Sequence, residues 1–287
     1  MTGGAASGSS ASGTVAEAVR TAAGRERVPI WFQWLELGPL STTARLDGTL
    51  FVSATQALYL YVGPLIATAR HAHHAAQIVV APHGLDVEDG ASGRIRACTA
   101  VIPPRLPHRH GACEHAALLF VDGDDLASRE LSRSAEPRCE TWSRDTVDVS
   151  VPRDPAPDKA RALIASILSA VELRQPPEPR HPAARRMCAY LDGSGHADLA
   201  RLSYEAGLSP RQMRHTFARD IGLPMRAYLR WKRLHRAIAA VEQGASLSAA
   251  AVSAGFADSA HLSRVFREQF GMTPTQGLSS IRWRTLD

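Results

Sequence analysis

The chain has 287 residues, 45% of them hydrophobic, and a formal net charge of +5 at pH 7. This length favours two domains with a core in each, and no apolar run approaches the roughly 18 residues that a membrane-spanning helix needs. The longest run, residues 57–69, is broken by Gly63 and Pro64. The first residues are small and polar and lack the apolar centre of a signal peptide. We therefore expect a cytoplasmic protein with no membrane partner.

Two segments of different composition open the chain. Residues 1–27 consist largely of Gly, Ser, Ala and Thr, which predicts a disordered tail. Residues 28–151 contain short apolar runs separated by turn residues such as Pro82-His83-Gly84, which predicts a small barrel or sandwich with an internal cavity. The predicted strands are FVSAT, ALYLYVG, LIATARH, AQIVVAP, RACTAVIPP and AALLFVD.

Histidines stand out within this strand-rich segment. His71 and His73 precede one strand, with Gln77 inside it, and His108 follows another strand about 30 residues later. This order resembles the two motifs of the cupin fold, whose metal-dependent members use two His and a Glu from the first motif and a His from the second. Gln77 stands in the place of that Glu, and Arg105 in the place of a usual Gly. We take the four residues His71, His73, Gln77 and His108 as candidates for an effector pocket.

Three interpretations of these four residues remain open on the sequence. They can line a metal-free pocket for an organic ligand, they can be structural imidazoles, or they can bind a transition metal, since neutral imidazoles suit Zn, Cu, Ni or Fe. The presence of a metal is therefore left unknown, and no cofactor is predicted.

Residues 152–182 are predicted to form a linker. Residues 158–174 show a continuous apolar stripe at helical spacing, including Leu163, Ile164 and Ile167. Such a helix must bury its stripe, either on its own barrel or against the same helix of a second subunit. Residues 175–182 are Pro-rich and predict a semi-rigid connection.

Residues 183–287 contain one helical pattern written twice, at 197–222 and at 246–271. In the first copy, Leu199 and Leu202 begin an apolar stripe, and Ser209 with Gln212 forms a capping box. In the second copy, Val252 is expected to face inward, and Asp258 is the expected N-cap. Residues 225–243 predict a long helix that joins the two copies.

The positive charge belongs to this C-terminal part. Residues 181–287 contain 15 Lys and Arg against 8 Asp and Glu, whereas residues 1–180 contain 18 against 20. A basic excess confined to one domain is typical of nucleic-acid binding.

Residues 185–276 resemble the DNA-binding domain of the AraC/XylS family of transcription regulators. The segment AGFADSAHLSRVFREQFGMTP, residues 254–274, carries the resemblance most clearly. The resemblance implies an α+β protein in which a cupin-like β-barrel precedes an all-α domain with two helix-turn-helix motifs joined by a long helix. It also implies that residues 28–151 sense a ligand and favours the dimerising alternative for the linker helix.

The resemblance suggests which side chains face DNA. The base-facing or phosphate-facing candidates are Arg211, Arg214, His215, Ser259, His261, Ser263 and Arg264. A second group is assigned to phosphate contacts or plain surface charge: Arg219, Arg230, Lys232, Arg233, Arg236 and Arg267.

The sequence thus predicts a DNA-binding transcription regulator, not an enzyme, controlled by a small-molecule effector in the N-terminal barrel. The expected partners are double-stranded promoter or operator DNA, an unknown effector, RNA polymerase if the protein is an activator, and a second copy in a homodimer. Two alternatives are a metal-dependent cupin enzyme with a fused helical domain and a nonspecific DNA-binding protein.

Overall fold

The computed structural model describes residues 44–53, 58–89, 93–121, 140–141, 149–170, 181–194 and 198–286. The predicted tail, residues 1–27, and residues 175–180 of the predicted linker lie outside this part of the chain.

The described chain has eight strands, seven in its first half and one near its end. They are β1 (Thr49–Ser53), β2 (Leu58–Leu65), β3 (Ala76–Asp89), β4 (Gly93–Ile102), β5 (His108–His110), β6 (Cys113–Val121), β7 (Glu140–Thr141) and β8 (Arg282–Thr285). All belong to one sheet with the order β7-β4-β3-β6-β2-β1-β8, to which β5 adds by pairing with β3. Over the described residues the sheet therefore has two ends and does not close into a ring.

The central strands of this sheet are buried on both faces, which explains their uninterrupted apolar sequences. Successive side chains of a strand point to opposite faces. Leu60 and Leu119 pair across β2 and β6 and pack in one core cluster, whereas their chain neighbours Tyr61 and Leu118 pack in another. The sheet therefore needs a covering layer on each side.

Helix α1 (Pro157–Ala170) covers the first face. Its stripe of Ala160, Leu163, Ile164 and Ile167 is buried in the same cluster as Leu60. Of the two alternatives for this helix, the structure thus shows packing on the chain's own sheet.

Three details of the predicted strands were wrong. The segment LIATARH is a strand only as far as Leu65, because the next backbone groups bond elsewhere: the N–H of Thr68 donates to His110 O and that of Ala69 to Gly271 O. The predicted turn at residues 82–84 is a register shift between Val80 and Leu85 inside the long strand β3. Strands β5 and β8 were not predicted.

Helices form the second half of the described chain. After α1 they are α2 (Pro182–Ser194), α3 (Leu199–Ala206), α4 (Pro210–Ile221), α5 (Met225–Glu242), α6 (Leu247–Ser253), α7 (Ser259–Phe270) and α8 (Pro274–Leu278). None of the described helices combines the length and apolar character of a membrane-spanning segment. The predicted α+β class, with an N-terminal sheet domain followed by two helix-turn-helix motifs around a long helix, is confirmed, whereas the predicted cupin-like β-barrel is an open sheet over the described residues.

The predicted helix boundaries follow from their caps. Ser209 and Gln212 form the capping box of α4, and the carboxylate of Asp258 accepts from the N–H of His261 at 2.6 Å. Gly207 and Gly271 end α3 and α7 with φ of 65° and 66°, the left-handed conformation that glycine adopts without strain.

Two residues expected to face inward are exposed instead. Leu199 is 46% exposed and Val252 is 69% exposed. Leu199 is the first residue of α3, where the stripe consists of Leu202 and Ala206, and α6 buries its small residues Ala250 and Ala251 instead.

The long helix α5 belongs to two cores. Tyr228 and Leu229 in its first half pack with α2, α3 and α4. Leu234 and Ile238 in its second half pack with the second helix-turn-helix motif and with the sheet. The first motif therefore has a core of its own, whereas the second shares its core with the second face of the sheet.

Backbone hydrogen bonds join the second motif to the sheet domain. The N–H of Ala69 donates to Gly271 O at 2.8 Å, and the N–H of Leu46 donates to Gln276 O at 2.8 Å. Beyond α8 the chain returns to the sheet, where β8 pairs in parallel with β1. The guanidinium of Arg161 on α1 donates to the carbonyl of Leu286, which follows β8.

Substitution of Gly271 tests this junction. A Cβ at Gly271 would collide with the carbonyl oxygen of Ala69 and lie 2.6 Å from Nδ1 of His71, whereas a Cβ at Gly207, at nearly the same φ, would meet nothing within 4 Å. We expect Gly207→Ala to cost about 1 kcal/mol for the left-handed backbone, and Gly271→Ala to cost roughly 1–3 kcal/mol more for the collision. Urea denaturation of both variants measures the difference, and equal losses would contradict the junction.

Candidate functional site

In a helix-turn-helix motif the second helix is called the recognition helix. In the first motif this is α4, which presents three predicted site residues to solvent. Arg211, Arg214 and His215 are exposed, while Met213 and Phe217 on the opposite face are fully buried. This alternation follows from the helical period, since residues three and four apart share a face. The side chains of Arg211 and Arg214 make no hydrogen bond or ion pair with another described residue, so both guanidinium groups are available to a partner.

The second recognition helix, α7, repeats this arrangement with smaller polar groups around its arginine. Arg264 is exposed and has no partner within the described part of the chain, while Leu262, Val265 and Phe266 are buried behind it. Ser259 and His261 are half-buried at the helix start, where the His261 ring packs edge-on against Phe256 at 5.3 Å between centroids.

Ser263 is less available than its predicted role requires. Its hydroxyl donates to the carbonyl oxygen of Ser259 at 2.8 Å, one turn back in the same helix. It must give up this bond to donate to a base or a phosphate.

The other basic residues have varied surroundings. Arg230 pairs with Glu268 at 3.1 Å and thereby ties α5 to α7, and Arg219 pairs with the neighbouring Asp220 at 2.9 Å. Arg236 and Arg267 are exposed. The Arg230–Glu268 pair is exposed on both sides, and exposed ion pairs contribute little to stability, so Arg230 remains free to rearrange on a polyanion.

The four effector-pocket candidates come together in one buried cluster, which we call the histidine cluster: His71, His73, His108 and Gln77. They are between 0% and 4% exposed. One ring nitrogen from each of the three histidines lies within 4.8 Å of the others. Backbone pairing brings His71 and His108 side by side, because each donates its N–H to the other's carbonyl at 2.9 Å.

Hydrogen bonds orient the three rings of the cluster in the same way. The Nδ1 atom of His71 lies 2.9 Å from Ala69 O, that of His73 2.7 Å from Ala75 O, and that of His108 2.8 Å from Leu106 O. A carbonyl only accepts, so each Nδ1 carries the hydrogen and each Nε2 keeps its lone pair. Gln77 Oε1 lies 2.7 Å from Nε2 of His73 and 3.3 Å from Nε2 of His108.

The rings of the cluster are neutral at pH 7. Burial lowers the pKa of His73 and holds the pKa of His71 and of His108 well below its usual range. Repulsion between the neighbouring rings lowers the pKa of His71 and His108 further. Neutral imidazoles are the form that binds metal ions.

Arg105 supports this cluster with an unusual backbone. It is the one non-glycine residue with positive φ in the described chain, at 65°, and its N–H donates to His73 O at 2.8 Å. The backbone conformation here is thus one that glycine, the usual residue of the second cupin motif, adopts freely.

A second site, which the sequence did not predict, is an apolar cleft between the sheet and the second motif. It is partly open to solvent, and its cavity volume is about 90 Å³. Its walls come from β1, β2, β6 and the loop before β1 on one side and from α5, α7, α8 and the loop after α8 on the other. The lining residues are Leu46, Leu50, Tyr59, Tyr61, Leu118, Phe120, Trp231, His235, Ile238, Phe266, Phe270, Met272, Gly277, Leu278 and Ile281.

One polar pair marks the wall of this cleft. The Tyr59 hydroxyl lies 3.1 Å from Nδ1 of His235, which bridges β2 and α5. The sequence does not indicate this cleft, because a strand pattern does not show which covering layer leaves a gap. The histidine cluster lies behind the cleft, since the ring of Phe120 lines the cleft and contacts the His73 ring edge-on at 5.5 Å.

One family model matches the helical part of the chain. Residues 202–279 match the helix-turn-helix domain family. The DNA-binding domain of AdpA, described as a global transcriptional factor in complex with a target DNA, is 25% identical over 33% of this chain and 86% of its own, with a TM-score of 0.30.

Solved structures of ToxT from Vibrio cholerae O395 match the described fold over more of its length. The structure bound to (E)-4-(8-methylnaphthalen-1-yl)but-3-enoic acid has a TM-score of 0.50 at 11% identity and covers 76% of this chain and 97% of its own. A second ToxT structure has a TM-score of 0.48 at 10% identity, covering 76% and 96%. Residues 202–279 therefore match a helix-turn-helix domain, and the described chain shares the fold of ToxT, in which this domain follows an N-terminal sheet domain.

Proposed function

We propose that the chain is a sequence-specific DNA-binding transcription regulator whose output is controlled by a small molecule bound in the cleft. The observation that carries the first part is the pair of capped, exposed, arginine-bearing helices α4 and α7 on a helix-turn-helix domain. Each is held from behind by buried apolar residues, so its outer face is presented rigidly to a partner.

Within this proposal, the two recognition helices enter successive major grooves on one face of the duplex. Arg264 and Arg214 contact base edges, because a guanidinium paired with guanine is the commonest specific contact in the major groove. Arg211, His215, Ser259, His261 and Ser263 complete the base-facing and phosphate-facing set. Because α5 joins both motifs as one continuous helix, a single chain can read two short boxes.

The cleft supports the second part of the proposal. Its lining is apolar with one polar pair, the combination typical of sites for small organic ligands. A molecule bound there touches the sheet on one side and Phe266 and Phe270 on the other. Both phenylalanines belong to α7, so an effector that fills the cleft acts directly on the back of the second recognition helix.

Such an effector regulates by differential affinity. It stabilises the arrangement of α7 on the sheet in which the cleft has room for it. The population can shift by no more than the difference in the effector's binding free energy between the two arrangements. The naphthalene-bearing acid bound to ToxT is of the chemical kind that this cleft suits. We propose that its ring system packs among the aromatic residues and its carboxylate faces His235.

DNA binding is tested with duplexes selected from a random-sequence pool by the purified protein. We expect one preferred site whose affinity falls about 1000-fold between roughly 50 and 200 mM salt if about six phosphates are contacted. Gel-shift titrations in the presence of unrelated competitor DNA measure both properties. Selection that yields no preferred sequence would favour the nonspecific DNA-binding alternative.

The roles of the arginines on α7 are separable. We expect Arg264→Ala to weaken binding to the selected site by about 1–3 kcal/mol and to relax preference at one base position. Arg267→Ala, one turn away and equally exposed, should weaken binding to all sequences alike and reduce the salt slope by about one. Arg94→Ala in the sheet domain is the control that leaves DNA binding unchanged, and an Arg264→Ala variant indistinguishable from it would refute the base contact.

The cleft is tested by filling it. We expect the ToxT ligand to bind the protein in isothermal titration calorimetry and to change its affinity for the selected DNA site. Ile238→Trp, which places a larger side chain in the cleft, should abolish ligand binding. Val252→Trp adds a tryptophan on the exposed side of α6 and should bind as the parent does. Equal binding by the two variants would place the ligand elsewhere.

A further inference from the structure

We propose that Arg186 and Arg233 are equivalent positioning residues, each of which clamps the turn in front of one recognition helix, and that the Arg233 clamp, open in this structure, closes when α7 reads DNA. The effect on DNA reading rests on the proposed function. The equivalence of the two arginines is argued from their places in the fold and from their contacts.

An internal repeat relates the two arginines. Helix α2 packs behind the first motif, and the second half of α5 packs behind the second. Met187 of α2 and Leu234 of α5 are both 0% exposed and occupy corresponding places in these two cores. Each is preceded by an arginine, Arg186 in α2 and Arg233 in α5. Because the angle between successive helical residues is constant, the two arginines leave their helices toward corresponding parts of the two motifs.

Arg186 clamps the turn of the first motif. Its Nε donates to the carbonyl oxygen of Glu205 at 3.0 Å, and its Nη2 donates to that of Ala206 at 3.1 Å. These are the last two residues of α3, and a cation is stabilising at the C-terminal end of a helix. A guanidinium presents its N–H groups in a rigid, planar fork, so the two bonds fix the direction in which the chain enters Gly207 and then α4.

Arg233 lies beside the matching turn of the second motif without these bonds. A Cβ at Gly255 would lie 3.5 Å from Nε of Arg233, yet this Nε is buried without a hydrogen-bond partner. The carbonyl oxygens of Ser253 and Ala254 correspond to the two that Arg186 binds. Within the described part of the chain they accept no hydrogen bond. Donor and acceptors are thus present at one turn but not joined.

The unpaired groups favour closure of this turn. A buried N–H without a partner is unfavourable, and Ala254, which carries one of the two acceptors, is only 3% exposed. Rotation of the Arg233 side chain that places its fork on both carbonyls satisfies the donor and the acceptors together. The second turn then has the same two bonds as the first.

Contact with DNA selects the closed form. A duplex that binds α4 and α7 in successive major grooves requires a fixed geometry between these two helices. It therefore has the higher affinity for the form in which both turns are clamped, and differential affinity of this kind shifts the population toward that form.

A direct phosphate contact is the competing explanation for a cation without a partner. Both explanations require Arg233 for affinity, but they differ in what can replace it. A phosphate also binds lysine as a point charge, whereas two neighbouring carbonyls need the planar fork of arginine. The salt dependence differs as well, because neutralisation of a phosphate releases counterions and closure of a turn does not.

The state of each clamp is tested first without DNA, by urea denaturation of the full-length protein. We expect Arg186→Met to lower the urea midpoint, because it removes two hydrogen bonds, and Arg233→Met to leave the midpoint unchanged or to raise it, because it removes an unpaired group. Arg236→Met, at an exposed position of α5, is the control for the loss of a positive charge. An Arg186→Met variant as stable as this control, or an Arg233→Met variant as destabilised as Arg186→Met, would overturn the assignment.

Closure is tested by gel-shift titration on the selected site and on a site whose second box is scrambled. We expect Arg233→Met and Arg233→Lys each to weaken binding to the selected site by about tenfold or more, since bonds to charged groups are lost, with an unchanged salt slope. Both variants should bind the scrambled site as the parent does. Rescue by lysine, or a salt slope reduced by about one, would establish the phosphate contact and overturn the clamp.

Failure of the proposed function gives a different result from failure of the clamp. If no DNA sequence is selected, the proposed function and closure on DNA are both overturned, whereas a lower urea midpoint of Arg186→Met still establishes the clamp of the first motif. If a site is selected and Arg233→Met binds it as tightly as the parent, the proposed function stands and closure alone is overturned.

Discussion

The sheet of this protein has two apolar faces, and the second is covered by the second helix-turn-helix motif. Tyr61 and Leu118 on that face share a core with Leu234 of α5 and Phe266 of α7. Burial of a large apolar side chain contributes about 1.5–3 kcal/mol, so separating the sheet from the motif would cost the free energy of exposing these side chains to water. The sheet domain and the second helix-turn-helix motif are therefore joined by the hydrophobic effect, in addition to the chain that connects them.

Because of this shared core, the two recognition helices differ in what they pack on. Helix α4 stands on a core made only of helices, with Met213 and Phe217 buried among α2, α3 and α5. Helix α7 stands on the sheet, with its end held by Ala69 and Ala72. A change in the sheet domain therefore reaches α7 through direct contacts, whereas the core behind α4 contains no sheet residue among those that the structure describes. Strand β8 adds a further restraint, because it returns the end of the described chain to the sheet beside β1.

The histidine cluster and the cleft are neighbouring sites. Phe120 separates them, with one edge toward the cleft and the other against the His73 ring. The histidine cluster is fully buried and consists of neutral groups, so it is suited to a small cation. The cleft is larger and apolar, so it is suited to an organic molecule. Both sites border segments that contact α7.

Much of the helical fold and of the candidate site can be predicted from the sequence. The doubled helical pattern, the capping box of Ser209 and Gln212 and the N-cap Asp258 are local features, determined by hydrogen bonds within four residues and by the helical period. His71, His73, Gln77 and His108 were singled out by their resemblance to the two cupin motifs, and backbone pairing places His71 beside His108. What only the tertiary structure decided is where apolar surfaces meet. Tyr61 and Phe266 are both hydrophobic in the sequence, but no periodicity shows that they face each other across a cleft, or that α1 covers its own sheet. Burial is a property of two distant segments at once, and the pattern of either one leaves its partner unspecified.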